Sequence, residues 1–327
     1  MSTISIITPF KDAAPYLKDC IDSICRQNHD DWQLIAINDH SDDESVDILK
    51  SYNDHRIEIY DNNGKGILSA LQTAQQYIKG SFVTRMDADD IMPKYKLKVL
   101  IDIINTSSSL TVATGFVKYF SDAPVSQGYL SYESWLNETA EKDLFYQRVY
   151  RECVVASPNW MMHRQDFDAI GGFQQLIYPE DYDMVFKWRE ARFKIKSADS
   201  ITHHWREHPQ RTSRNSDTYQ QESFFRLKTP YFIEEFKNRR IQLIGAKKKG
   251  KLIAQILKEH HCDFDWYEHD ISLIGQKLNS VMIKDIQYLK KEEACILSIY
   301  PEASLKEPLE AFITKRGYYI GANAHYF

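Results

Sequence analysis

No stretch of this chain approaches the roughly 20 consecutive apolar residues that a membrane span needs. The opening residues, MSTISIITPF, read as a short strand and lack the basic n-region of a signal peptide. The five cysteines, Cys20, Cys25, Cys153, Cys262 and Cys295, form no C-x-x-C pair and no metal spacing. They are expected to be reduced core residues of a cytoplasmic protein. Positive charge is not in excess: 41 Lys and Arg against 46 Asp and Glu leave a net −5, which gives no electrostatic case for a nucleic-acid partner. The chain has no internal repeat and no low-complexity tract. The first βα turn, TPFKDAAPYL, holds no glycine, so a G-x-G-x-x-G dinucleotide site is not expected there. What remains is an ordinary globular composition, 43% hydrophobic and 27% charged, over 327 residues, a length suited to one large domain and one small one.

Three carboxylates crowd the end of an apolar run at FVTRMDADD, residues 82–90. The run reads as a buried strand of an α/β sheet, with the acids where it emerges. Ligands of such sheets bind outside the carboxyl ends of the strands. Asp87 and Asp89 are two apart, so in extended backbone they point the same way. Two carboxylates held together repel, and one would normally take up a proton. A magnesium-type ion, held by one or two carboxylates plus substrate phosphates, removes that conflict. The expectation is a metal–diphosphate site, set against a solvated acidic turn.

Around this stretch, strand and helix alternate. Strands are read at 4–8, 32–38 and 56–60, and helices at 15–28, 44–52 and 67–78. Four such strands in alternation with helices imply a parallel, doubly wound sheet. Its strand ends gather Thr8, Asp39 and the Asp87–Asp90 cluster along one edge, where a nucleotide would lie. Asp39 reads as an acceptor for a ribose hydroxyl or a base N–H, or as a helix cap.

Four segments in order, ISIITPFKDAAPYL, LIAINDHSDDES, NNGKG and FVTRMDADDIMP, resemble the successive motifs of family 2 glycosyltransferases. The resemblance is strong over roughly residues 3 to 105 and continues more weakly to about 215. It implies a GT-A fold with a mostly parallel doubly wound sheet, a nucleotide-sugar donor, usually a UDP-sugar, a divalent Mn2+ or Mg2+, and inversion at the anomeric carbon. By motif, Thr8, Pro9 and Phe10 would line the base pocket, Asp39 would hold the uracil, Asp87 the ribose and Asp89 the metal. Arg85 would touch phosphate or only neutralise the acids. His40 departs from the pattern, because the family usually places glycine there; a backbone with φ > 0 would strain it.

Further along, 111–120 reads as a strand, and the polar, aromatic stretch 122–151 has no clear pattern. In this position the family places variable, acceptor-facing segments. Residues 157–163 read as a strand crossing beside the metal site, and Glu180-Asp181 open a helix, favourably placed at its positive end. Neighbours one apart do not share a helix face, so one acid can enter the cleft while the other caps. The resemblance assigns the general base to the second, Asp181. After a strand at 195–202, HHWREHP followed by Thr212-Ser213 resembles the family's late loop. There Arg206 is a diphosphate clamp, since guanidinium forks suit phosphate, and His204 a further metal ligand, with His203 and His208 as rivals.

The pattern restarts near Arg240 with a second, smaller β/α unit, so the expected domains are 1–238 and 239–327. Gly245-Ala246-Lys247-Lys248-Lys249-Gly250-Lys251 fails as a P-loop, because Leu252 stands where Ser or Thr is needed. As a Rossmann fingerprint it carries Lys247 in place of the second glycine. The unit resembles a degenerate nucleotide-binding domain, read as a packing or homodimerisation module or as an anion site.

The leading expectation is a metal-dependent, inverting glycosyltransferase that acts on a glycan or lipid-linked acceptor in surface polysaccharide synthesis. It would be cytoplasmic, at most peripheral to the inner face of the membrane. The alternatives are a nucleotidyltransferase, which usually wants the glycine-rich first loop missing here, and a non-catalytic nucleotide-sugar-binding partner, against which the intact D-x-D and Glu-Asp pair count.

Overall fold

Three of the four apolar strands of the first half are buried along almost their whole length, as the central strands of a parallel sheet must be, while the one at 57–61 is a half-buried edge strand. In the computed structural model, which describes residues 3–107, 110–209, 211, 221–291, 293–298 and 303–327, the four are β1 (Ile4–Phe10), β2 (Trp32–Asn38), β3 (Ile57–Asp61) and β4 (Phe82–Arg85). They pair in parallel in the order β3-β2-β1-β4. Helix α1 (Ala14–Cys25) buries Leu17, Cys20, Ile21 and Ile24, the stripe its spacing predicts. Helices α2 (Ser45–Lys50) and α3 (Ile67–Gln75) complete the crossovers.

The sheet continues as β6 (Met161–His163), β5 (Thr111–Phe120) and β7 (Lys194–Arg206). β6 runs antiparallel to both β4 and β5, while β7 is parallel to β5, so the seven-stranded sheet is mixed but mostly parallel. Helix α4 (Lys96–Asn105) precedes β5. Three details differ from the pattern in the sequence. The strand expected at 157–163 is only three residues long, and the one expected to end at Thr202 runs on to Arg206. The unpatterned stretch contains a 15-residue helix, α5 (Gln127–Glu141). Its buried face includes Glu133 and Thr139, which breaks the apolar period. Those polar groups have partners. The Glu133 carboxylate accepts the Tyr119 N–H at 2.6 Å, and Asn137 bonds both backbone groups of Val117. In the ladder of β5, β6 reaches only Val112 and Ala113, and Asn137 takes over beyond it.

By its internal contacts the chain divides into two units: one of residues 1–145 and 154–215, and a second of 146–153 and 216–327. Residues 146–153 and 216–238 thus group with the second unit, on the far side of the boundary drawn at 238. That unit is built on β8 (Ile241–Ile244), β9 (Phe264–Glu268), β11 (Val281–Asp285), β12 (Ala294–Leu297) and β13 (Ala324–Tyr326), in the parallel order β11-β9-β8-β12-β13. A short β10 (Lys277–Leu278) adds an antiparallel edge. The order is that of a doubly wound Rossmann-like sheet. At its first crossover Gly245 has φ +101°, and a Cβ on Gly250 would lie 1.9 Å from the Gly245 carbonyl oxygen. Two glycines of the fingerprint are therefore required by geometry, one for the turn and one for close helix–strand approach. No helix among the described residues is long and apolar enough to cross a membrane.

Candidate active site

Strand β4 ends at Arg85, and the chain then turns through Asp87 to Asp90, closed by the Asp90 N–H on the Asp87 carbonyl at 3.3 Å. Arg85 is buried. Its Nε lies 2.9 Å from Asp87 Oδ1, and its Nη1 lies 2.9 Å from Glu180 Oε1. Glu180 and Asp181 open helix α6 (Glu180–Glu190). One guanidinium thus joins the D-x-D turn to an acid pair 95 residues further along the chain. Of the two roles open to Arg85, neutralising acids is the one its contacts display.

The charges explain why such a cation is needed. Burial raises the Asp87 carboxyl above its usual range, with Arg85 pulling the other way. Asp181 is pushed up to about 7, first by burial and then by the neighbouring Glu180, against the pull of Arg85; the Asp87 charge also reaches it. One oxygen of Asp181 accepts the Tyr182 N–H at 2.8 Å. Glu180 is 2% exposed and its second oxygen has no hydrogen-bond partner among the described residues. The two acids have therefore divided: Glu180 holds Arg85, and Asp181 is the half-buried carboxyl of raised proton affinity. Neither makes a side-chain cap.

On the other side of the turn, Asp89 Oδ2 lies 2.9 Å from His208 Nε2. Burial acts to raise the Asp89 carboxyl, but the His208 hydrogen bond and the charge of Arg211 hold it below the usual carboxylate range. The His208 ring packs on Tyr16, and its buried Nδ1 has no hydrogen-bond partner among the described residues. His204, expected at the metal, lies on β7. Its backbone pairs with Ile91 in both directions at 3.1 Å, and its ring stands edge-on to Phe120. His203 is fully buried against Asp90. The reason is the length of β7. Residues 203 to 206 lie on the strand rather than in a loop, and only beyond Arg206 does the chain leave the sheet and carry His208 back to Asp89.

Arg206, expected on the diphosphate, is committed within the protein. Its Nε donates to the Asp89 carbonyl at 2.7 Å and its Nη2 to Asp19 at 2.9 Å, and the guanidinium lies over Phe120 and Tyr16. Asp19 and Tyr16, both on α1, give no sign of this in the sequence, because they sit on the polar face of an ordinary amphipathic helix. Arg211, not singled out by sequence, is the second cation whose charge bears on Asp87, Asp89 and Asp90. Thr212 and Ser213 lie outside the described residues.

At the nucleotide edge, Thr8, Pro9 and Phe10 are buried at the end of β1, with the Phe10 ring in the core rather than lining an open surface. The Thr8 hydroxyl is buried and has no hydrogen-bond partner among the described residues. Asp39 does not cap helix α2; Asp43 takes the Ser45 N–H there. Asp39 instead accepts from Asn62 Nδ2 at 2.6 Å and from the Gly66 N–H at 2.9 Å. Asn62 is the hub of the NNGKG loop, also accepting from Ser69, Thr73 and the Gly64 N–H. His40 does have φ +58°, and its Nε2 lies 2.7 Å from the Gly64 carbonyl oxygen. That contact holds the left-handed backbone where glycine would need no help.

Among the described residues, no three His, Cys, Asp or Glu side chains form a ready-made metal cluster. Asp89 and His208 bring a carboxylate oxygen and an imidazole nitrogen side by side. Carboxylates suit Mg2+ and Mn2+, and imidazole commonly ligates transition metals.

Residues 5–171, about half of the chain, match the family model described as Glycosyl transferase family 2. An uncharacterized glycosyltransferase of Rickettsia prowazekii is 28% identical over 199 residues, covering 59% of this chain and 59% of that relative's own length. Among solved structures, S. aureus TarS in complex with UDP-GlcNAc superposes with a TM-score of 0.52 at 15% identity, over 79% of this chain and 72% of that one. A mannosyltransferase from Pyrobaculum calidifontis in complex with GDP-Man and Mn2+ gives 0.52 at 13% identity, over 78% and 69%. At these identities the structural likeness speaks for the fold alone, a GT-A type sheet. With the family model spanning the strands that carry the D-x-D turn, the chain belongs to glycosyl transferase family 2.

Proposed function

We propose that this chain moves a sugar from a nucleoside diphosphate sugar, a UDP-sugar, to a hydroxyl of a glycan or lipid-linked saccharide, with inversion and with Mn2+ or Mg2+. The observation that carries this reading is the Arg85 bridge, which draws the D-x-D turn and the Glu180-Asp181 pair into one site. The two structural neighbours were solved with UDP-GlcNAc and GDP-Man, both nucleoside diphosphate sugars, which supports the donor class. The intended product is part of a surface glycan.

In this reading Asp39 accepts the uracil N–H while it holds the Gly66 loop, and Asp87 accepts from the ribose. Asp89 and His208 hold the cation, and His208 replaces His204 in that role. A bound Mn2+ or Mg2+ would supply positive charge to the leaving diphosphate. Asp181 takes the proton from the acceptor hydroxyl as that oxygen bonds to the anomeric carbon. The bond from that carbon to the diphosphate oxygen breaks, and the electron pair leaves with the nucleoside diphosphate. Arg211 adds charge on the diphosphate side, and Arg206 fixes the turn rather than clamping phosphate. Arg85 holds Glu180 beside Asp181, and Asp181 takes the proton.

A screen of nucleotide sugars for released nucleoside diphosphate, with Mn2+, with Mg2+ and with chelator, tests the proposal. One UDP-sugar should be cleaved slowly without acceptor, only with the ion present, and not at all by Asp89→Ala. Cleavage of no nucleotide sugar under any of these conditions, across a broad acceptor array, contradicts it.

A further inference from the structure

Behind the D-x-D turn lies a polar cluster that the transfer chemistry does not touch. Asp90 is fully buried; its Oδ2 lies 2.8 Å from His203 Nε2 and its Oδ1 accepts the Arg206 N–H at 2.8 Å. His203 is fully buried too. Its Nδ1 lies 3.5 Å from the Nζ of Lys96, which is 1% exposed and donates to the Pro158 carbonyl at 2.6 Å. With Lys96 as an ammonium, which only donates, Nδ1 accepts and Nε2 carries the hydrogen that bonds Asp90.

A carboxylate, an imidazole and a lysine removed together from water are costly, and apolar residues of the same volume would hold the turn, helix α4 and β7 together at least as well. A tie of this kind has value when it fixes a position rather than adds stability. What it fixes is visible. The two backbone bonds between Ile91 and His204, and the Arg206 bond to the Asp89 carbonyl, stitch the same turn to the same strand. Asp89 sits on one side of that seam. His208 leaves the strand two residues beyond Arg206, and the two meet at 2.9 Å.

We propose that His203, held by Lys96 and bonded to Asp90, is a positioning residue for the cation site: it sets the register between the D-x-D turn and the end of β7, and so the spacing of Asp89 and His208. This rests on the reading that Asp89 and His208 hold the divalent ion. Outer partners that orient metal ligands typically change metal affinity 10–100-fold when lost.

The test is Mn2+ binding to the full chain with UDP present, followed by electron paramagnetic resonance well below the unfolding temperature, with folding checked by circular dichroism. Asp89→Ala should abolish binding; if it does not, the cation reading itself fails. His203→Leu should weaken Mn2+ about 10–100-fold and broaden the bound spectrum. His203→Gln, which keeps a donor toward Asp90, should recover most of the affinity. Lys96→Met, which removes the donor to Nδ1 together with the bond to the Pro158 carbonyl, should weaken it to a lesser degree, and decides the matter if His203→Leu does not fold. Unchanged Mn2+ affinity and spectrum in folded His203→Leu, or in Lys96→Met where the first variant is lost, while Asp89→Ala abolishes binding, overturns the proposal.

Discussion

Glu180 and Asp181 are neighbours in the chain and opposites in chemistry. Glu180 gives one oxygen to Arg85 in a site closed to water, while Asp181 carries a proton affinity near neutrality. A base must be unprotonated to act, so the rate should be low below the Asp181 pKa and rise to a plateau above about 7. A kcat/KM profile from pH 5 to 9, with the metal saturating, checks this; a profile flat through 6 to 8 speaks against Asp181. The same shift binds the proton more tightly in the folded chain than in the unfolded one, so Asp181 costs stability as pH rises from its ordinary range toward 7. Arg85→Ala strands Glu180 with no partner in a buried position. Loss of one member of a buried pair costs about 3–5 kcal/mol, and urea unfolding should show a loss of that order. Arg85→Lys should recover only part of it, because a single ammonium cannot span Asp87 and Glu180 as the guanidinium fork does.

Among the elements, β7 changes the reading of the site most. Its last residues alternate His, aromatic and Arg side chains and carry no β-strand signature of their own, so the sequence around His203–Arg206 reads as loop. Pairing with β5 through Phe120 overrides that reading. The consequence is testable. His208→Ala should lower Mn2+-dependent donor cleavage by at least about tenfold, the usual scale for a lost metal partner, whereas His204→Ala should change it less than twofold. The reverse order would restore His204 to the cation. In the second unit, Gly250→Ala pushes a Cβ into backbone rather than into a yielding side chain. Overpacking of this kind costs about 1–3 kcal/mol or more. Differential scanning calorimetry should show a transition lowered relative to wild type; an unchanged one would mean the turn opens freely.

For the whole molecule, the alternation of strand and helix and the mostly parallel sheet were legible because they follow from the simplest signals. Apolar runs of four to seven residues ending in Asp39 and Asp87 can only bring those ends to one edge of a parallel sheet. Contacts between distant residues were not legible. Nothing local tells that Arg85 reaches Glu180, that Asp19 holds Arg206, or that Asn62 organises the loop on Asp39, since each depends on how crossovers stack side chains far apart in the chain. Helix α5 stayed hidden because its buried positions include hydrogen-bonded polar side chains. The Rossmann-like order of the second unit agrees with the spacing of Gly245 and Gly250, with Glu268 at the end of the adjacent strand. There Glu268 accepts the Ala246 N–H of the glycine turn. The central claim is that acids from two distant segments act on one donor, Asp89 in holding it and Asp181 in taking the proton. The most direct measurement compares donor affinity and turnover in Asp181→Asn and Asp89→Ala, by calorimetry with Mn2+ and by released nucleoside diphosphate. The account predicts that Asp181→Asn binds the donor as wild type does but loses about 100-fold or more in turnover, while Asp89→Ala loses donor affinity itself. Near-normal turnover in Asp181→Asn with donor binding intact would contradict it.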